Sequence, residues 1–112
     1  MPSQSNVRWL CLGDGRRIRF DEQKHDIHFV DGDNAQWDDQ TKTSAARTLA
    51  WAIGGCRVSQ GKDRGTIAAL LLNSRKLTDE TQNPDDQMRL AIFALEIFSL
   101  APSITIEGLL VA

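Results

Sequence analysis

No run of apolar residues in this 112-residue chain exceeds six, the length of Ile67–Leu72. A helix needs about 20 to cross a bilayer, so the sequence predicts no membrane partner. Cysteine is scarce: Cys11 and Cys56 stand alone, without disulfide or metal spacing, which points to a reducing, cytoplasmic setting. The opening Met-Pro-Ser-Gln-Ser-Asn has neither a charged nor an apolar region, so no secretory leader is expected. There is also little net charge: −2 from 13 basic and 15 acidic residues. That balance argues against a general nucleic-acid binder.

The charge is segregated along the chain. Residues 1–20 carry four basic and one acidic side chain, and residues 21–40 carry one and seven. Residues 41–77 carry seven and one, and residues 78–112 carry one and six. Folding either interleaves these blocks or leaves local basic and acidic faces. Hydrophobic content of 41% and charged content of 25% are ordinary for a globular domain. The length fits one domain over residues 1–112, with residues 1–6 expected to be flexible.

The clearest element is Pro84–Ala101. Asn83 can cap it, Pro84 suits the first helical position, and Asp85 and Asp86 face the positive end of the helix dipole. Pro102 stops it. Its polar stripe is narrow (Asp85, Arg89, Glu96, Ser99), so the helix should be buried on several sides or bury part of its arc in a homodimer.

Upstream, Val7–Leu12 reads as a strand apolar on both faces and hence central. Gly13-Asp14-Gly15 is a turn. In Arg16–Phe20, Ile18 and Phe20 alternate with outward Arg17 and Arg19. Ile27–Val30 is a third strand and Ala35–Trp37 a fourth, giving an antiparallel meander. Thr43 or Ser44 caps a helix to Ile53, ended by Gly54-Gly55. A loop over Gly55–Gly65 follows, then a helix over Thr66–Leu77 with Arg75 and Lys76 at its end. A buried strand at Ile67–Leu72 is the alternative. Ser103–Glu107 alternates as a C-terminal strand expected to join the sheet. The fold class is α+β: a small antiparallel sheet, the N-terminal meander plus the C-terminal strand, packed against two to three helices around a long central helix at about 84–101.

No catalytic constellation emerges. His25 and His28 lie near Asp21, Glu22, Asp26, Asp31 and Asp33, but a strand would point the two histidines to opposite faces. Asp31-Gly32-Asp33-Asn34 lacks the calcium-loop spacing and reads as a turn. Gly61-Lys62 lacks the phosphate-loop spacing, and Asp63 replaces its hydroxyl residue. Cys56 has no local base to activate it, and Glu96 shares a stripe with Arg89. No metal or cofactor is expected.

Two surfaces stand out. Arg47 and Trp51 lie four residues apart, off the apolar face of their helix, and both residue types anchor interfaces. Arg57, Lys62 and Arg64 give the loop its positive charge, suited to phosphates or an acidic protein. The reading is a small non-catalytic protein that binds a protein partner. Phage inhibitors of host machinery, such as anti-CRISPR proteins, and toxin-neutralising proteins are of that class. The rival is a nucleic-acid accessory protein that uses Arg16, Arg17 and Arg19, or the Arg57–Arg64 loop. A small enzyme, requiring His25, His28 and Cys56 to converge, comes third.

Overall fold

The hairpin turn at Gly13-Asp14-Gly15 sets the register of everything before the helices. Leu12 N–H donates to Arg16 O at 2.8 Å, and Gly15, at φ +97°, donates to Leu12 O at 3.1 Å. The Asp14 carboxylate accepts from Arg16 N–H and pairs with its guanidinium at 2.8 Å. In this computed structural model, which describes residues 7–73 and 84–105, the turn joins β1 (Val7–Cys11) to β2 (Arg17–Asp21). A second hairpin joins β2 to β3 (Asp26–Val30). There the Asp21 carboxylate accepts from Gln23 and Lys24 N–H, and His25 takes the left-handed φ of +57°.

The sheet is antiparallel with order β1-β2-β3. Arg8 lies opposite Phe20, and Phe20 opposite Ile27; Leu10 lies opposite Ile18, and Ile18 opposite Phe29. Ile18, Phe20 and Ile27 are fully buried on this face, each worth about 1.5–3 kcal/mol of transfer free energy. Among the described residues β1 is an edge strand, where a central one was expected. Its second apolar face rested on Trp9, and Trp9 is 48% exposed.

Ala35–Trp37 is not a strand among the described residues. Trp37 turns inward instead: its indole N–H donates to Arg17 O and Val30 O, each at 3.1 Å. Its ring meets Phe29 edge-on at 4.8 Å, and the Arg16 guanidinium lies 4.5 Å from its centre. Helix α1 follows at once and is longer than the sequence suggests, Asp39–Val58. Asp38, not Thr43 or Ser44, caps it through a reciprocal capping box with Thr41. It also runs through Gly54-Gly55, because Ile53 and Cys56 on either side are fully buried. The expected loop over Gly55–Gly65 therefore shrinks to Ser59–Asp63.

Helix α2 spans Arg64–Asn73, which settles Ile67–Leu72 as helix. Arg75, Lys76 and Leu77 lie outside the described residues, as do residues 1–6 and Asn83. Helix α3 spans Pro84–Leu100 and packs chiefly on α1. Leu90, Phe93, Ala94 and Ile97 are buried on it, while Met88 and Ile92 are about half exposed. Asp86 is buried and accepts from Gly13 N–H at 3.1 Å and from Arg89 at 2.8 Å, tying α3 to the first turn. Ser103–Thr105 is not strand, which corrects the expected C-terminal pairing over its described part; residues 106–112 lie outside the described residues. The helices and the inner sheet face share one hydrophobic core, so the architecture is α+β.

Candidate functional site

The register that buries Ile18 and Phe20 sends the alternate residues the other way. Three rows cross the outer face: Val7, Asp21 and Asp26; Trp9, Arg19 and His28; Cys11, Arg17 and Val30. Trp9, Cys11 and Arg17 are exposed, and the other six are partly so. The core elements all lie behind the inner face, so this face is open to solvent among the described residues. The Arg17 guanidinium lies 5.4 Å from the centre of the Trp9 ring. That pairing holds an aromatic surface and a fork of donors together, at about 0.5–1 kcal/mol for an exposed site.

The charge on this face is ordered. Two rows carry Arg17, Arg19 and His28 without an acid, while Asp21 and Asp26 occupy the third. The Lys24 backbone N–H, foremost, holds the Asp21 carboxyl below its ordinary value, so it stays charged. The His28 ring lies 3.2 Å from the Asp26 carboxylate.

The surfaces expected from sequence are placed differently. Arg47 is exposed on α1, but Trp51, one turn on, is partly buried against the core. Arg57 is occupied: its guanidinium donates to Ile104 O at 2.6 Å and Pro102 O at 3.2 Å, and it stands 5.8 Å from the centre of the Phe98 ring. It fastens the segment after α3 to the end of α1. Lys62 and Arg64 are exposed. Arg57 lies ten residues beyond Arg47, about 15 Å along α1, so the two candidate surfaces are separate places.

The residues weighed for catalysis are not brought together. Cys56 is fully buried in the core, and burial pushes its thiol above the ordinary value. His28 lies on the opposite side of the sheet, and His25 is exposed at the hairpin tip. Glu96 is partly exposed, 3.9 Å from Arg8. Among the described residues no group of three or more His, Cys, Asp or Glu could hold a metal ion. The space enclosed between Leu12, Trp37, Ala45 and Leu90 is about 10 Å³, room for one water at most. No described helix is long and apolar enough to cross a membrane.

Trp9 is the residue that sequence reasoning missed. Its signal was the pairing across Gly13-Asp14-Gly15, which sets Trp9 beside Arg19 and Arg17 rather than inside the domain. Comparisons with protein-family models, with curated proteins and with solved structures find no significant match.

Proposed function

We propose that this chain is a non-catalytic binding protein that holds a protein partner on the outer face of its sheet. The observation that carries the reading is Trp9, half exposed on a sheet face that no described element covers, with Arg17 against its ring and Arg19 in its row. Trp and Arg dominate the energetics of protein interfaces because each joins a large contact area to directional donors. The mixed rows suit a protein better than a polyanion, since Asp21 and Asp26 would repel phosphates at one end. An inhibitor of a host complex or a toxin-neutralising protein is the form of this function we put forward, on the strength of small size and a single binding face.

The test is capture from host lysate by the immobilised chain, with nuclease present. Trp9→Ala and Arg17→Glu should each reduce recovery of the partner at least tenfold while circular dichroism stays unchanged. Trp51→Ala and a Lys62→Glu/Arg64→Glu pair test the two surfaces read from sequence. Capture lost only with those variants would move the site from the sheet to α1 or to the turn before α2.

A nucleic-acid partner is the second reading, favoured by the clustering of Arg17, Arg19 and His28 around a stacking ring. Two or three phosphate contacts on a single strand would give a slope of about −1.4 to −2 in log K against log salt.

A further inference from the structure

Resting on the binding reading above, we infer that the partner presents an extended, carboxylate-bearing peptide segment that adds, as a fourth strand, to the edge of β1 that no described strand pairs. The first support is hydrogen-bond parity. Leu12 and Arg16 are a bonded pair at the turn, at 2.8 Å. Bonded and non-bonded pairs alternate along an antiparallel ladder. Leu10 and Arg8 therefore spend their backbone groups on β2, and Val7, Trp9 and Cys11 point theirs away from it. Among the described residues no strand takes up those groups. The residues with free backbone groups are thus the ones whose side chains form the first column of the outer face. A strand laid along this edge would bond the main chain of Trp9 and Cys11 and set alternate side chains beside Trp9.

Area is the second support. Nine residues make up the outer face. A standard globular interface uses about 20–30 residues a side. The face alone is too small for that, whereas strand addition draws its affinity from main-chain hydrogen bonds and uses side chains for selection. Charge supplies the third. On the outer side Arg17, one strand in on β2, lies over the Trp9 ring of the edge strand, and on the inner side Arg8 approaches Glu96 at 3.9 Å. Carboxylates at alternate positions of an added strand would meet Arg17. A second copy paired edge to edge would bring no carboxylate of β1 to this edge, since Val7–Cys11 contains none.

The experiment is a backbone-amide NMR titration of the full chain with three probes: a short peptide of alternating Glu and Val, its Lys and Val counterpart, and oligo(dT). The Glu/Val peptide should shift the amide signals of Trp9 and Cys11 and slow their hydrogen exchange. Arg17→Glu should weaken it about tenfold or more. Cys11→Pro should do the same, because it removes a donor that faces only the free edge. No shift at about 1 mM Glu/Val peptide overturns the inference, as does preference for the Lys/Val peptide or for oligo(dT). Shifts that depend on protein concentration alone would assign the edge to a second copy and overturn it too. Glu/Val binding that Trp9→Ala and Arg17→Glu abolish, but that leaves the Trp9 and Cys11 amides unprotected, sinks the added strand and leaves the face reading standing. The exchange readout on the unmodified chain decides the matter even where Cys11→Pro fails to fold.

Discussion

Replacing Gly32 by alanine tests the geometry that holds the outer face in place. Gly32 lies where the segment after β3 passes over the β1–β2 turn. A Cβ there would stand 2.6 Å from the Gly15 carbonyl carbon, 2.7 Å from its oxygen and 3.0 Å from Arg16 N. All three atoms are backbone, so no rotamer change relieves the clash. Gly15 is fixed by its φ of +97° and its bond to Leu12, and Gly32 by its own bond to Ala35 O at 2.8 Å. Overpacking of this kind costs about 1–3 kcal/mol. The reduced freedom of the unfolded chain returns about 0.4–1 kcal/mol. The expected net loss is about 1–2 kcal/mol, or roughly 4–8 °C in Tm for a domain of this size. Gly54→Ala should act in the opposite sense. It lies inside α1 with nothing within 4 Å of its added Cβ, so a gain of about 0.5–1 kcal/mol is expected. Urea and thermal unfolding followed by circular dichroism measure both. A Gly32→Ala protein as stable as the parent would refute the close approach of the two loops. A destabilised Gly54→Ala would refute the continuation of α1 through its glycine pair.

Trp37→Phe keeps most of the ring but removes the indole N–H shared by Arg17 O and Val30 O; because those residues also face each other in the β2–β3 ladder, a loss of about 0.5–1.5 kcal/mol is expected in urea unfolding, and an unchanged midpoint would show that this bond does not hold Trp37 in place. His25→Gly removes a left-handed strain of about 1–2 kcal/mol and restores unfolded-state freedom, for a net gain of roughly 0.5 kcal/mol, seen as a small rise in the urea midpoint. Asp21, Asp38 and Asp63 are all held below the ordinary value of 3.8, by the Lys24 backbone N–H, the Thr41 backbone N–H and the Thr66 hydroxyl respectively. Their folded values lie below the unfolded one, so their stabilisation is present above the unfolded value and is lost as pH falls through the folded values. The urea midpoint should therefore decline below about pH 4, and Asp38→Asn, which caps without titrating, should flatten part of that decline.

Local patterns made much of the fold legible. Alternation in Arg16–Phe20 identified β2 with the correct face inward, and the apolar spacing of Pro84–Ala101 with Pro102 behind it located the end of α3 to within a residue. The errors fall where tertiary contact overrides a local signal. Gly54-Gly55 reads as a stop because each glycine costs a helix about 1 kcal/mol. The full burial of Ile53 and Cys56 outweighs that cost, and the helix continues to Val58. Trp37 reads as a strand residue from three positions of alternation. In the structure it closes the end of the sheet and leads straight into the Asp38 cap.

The candidate site was less legible, and for a different reason. A side chain's type is local, but its availability is not. Arg57 looked like a free loop cation and is committed to Pro102 O, Ile104 O and Phe98. Trp9 looked like core, because a strand apolar on both faces is normally flanked on both sides. Among the described residues it lies on an edge with one face open, and the strand order separates the two cases. Arg17 and Arg19 were read correctly as outward, yet without Trp9 they suggested phosphate. With Trp9 between them and backbone groups that no described strand takes up, and with Asp21 and Asp26 closing the far row, the same arginines form one end of a short, charge-ordered face. That shape is the ground for the added strand proposed above, an extended segment of opposite charge rather than a broad globular face.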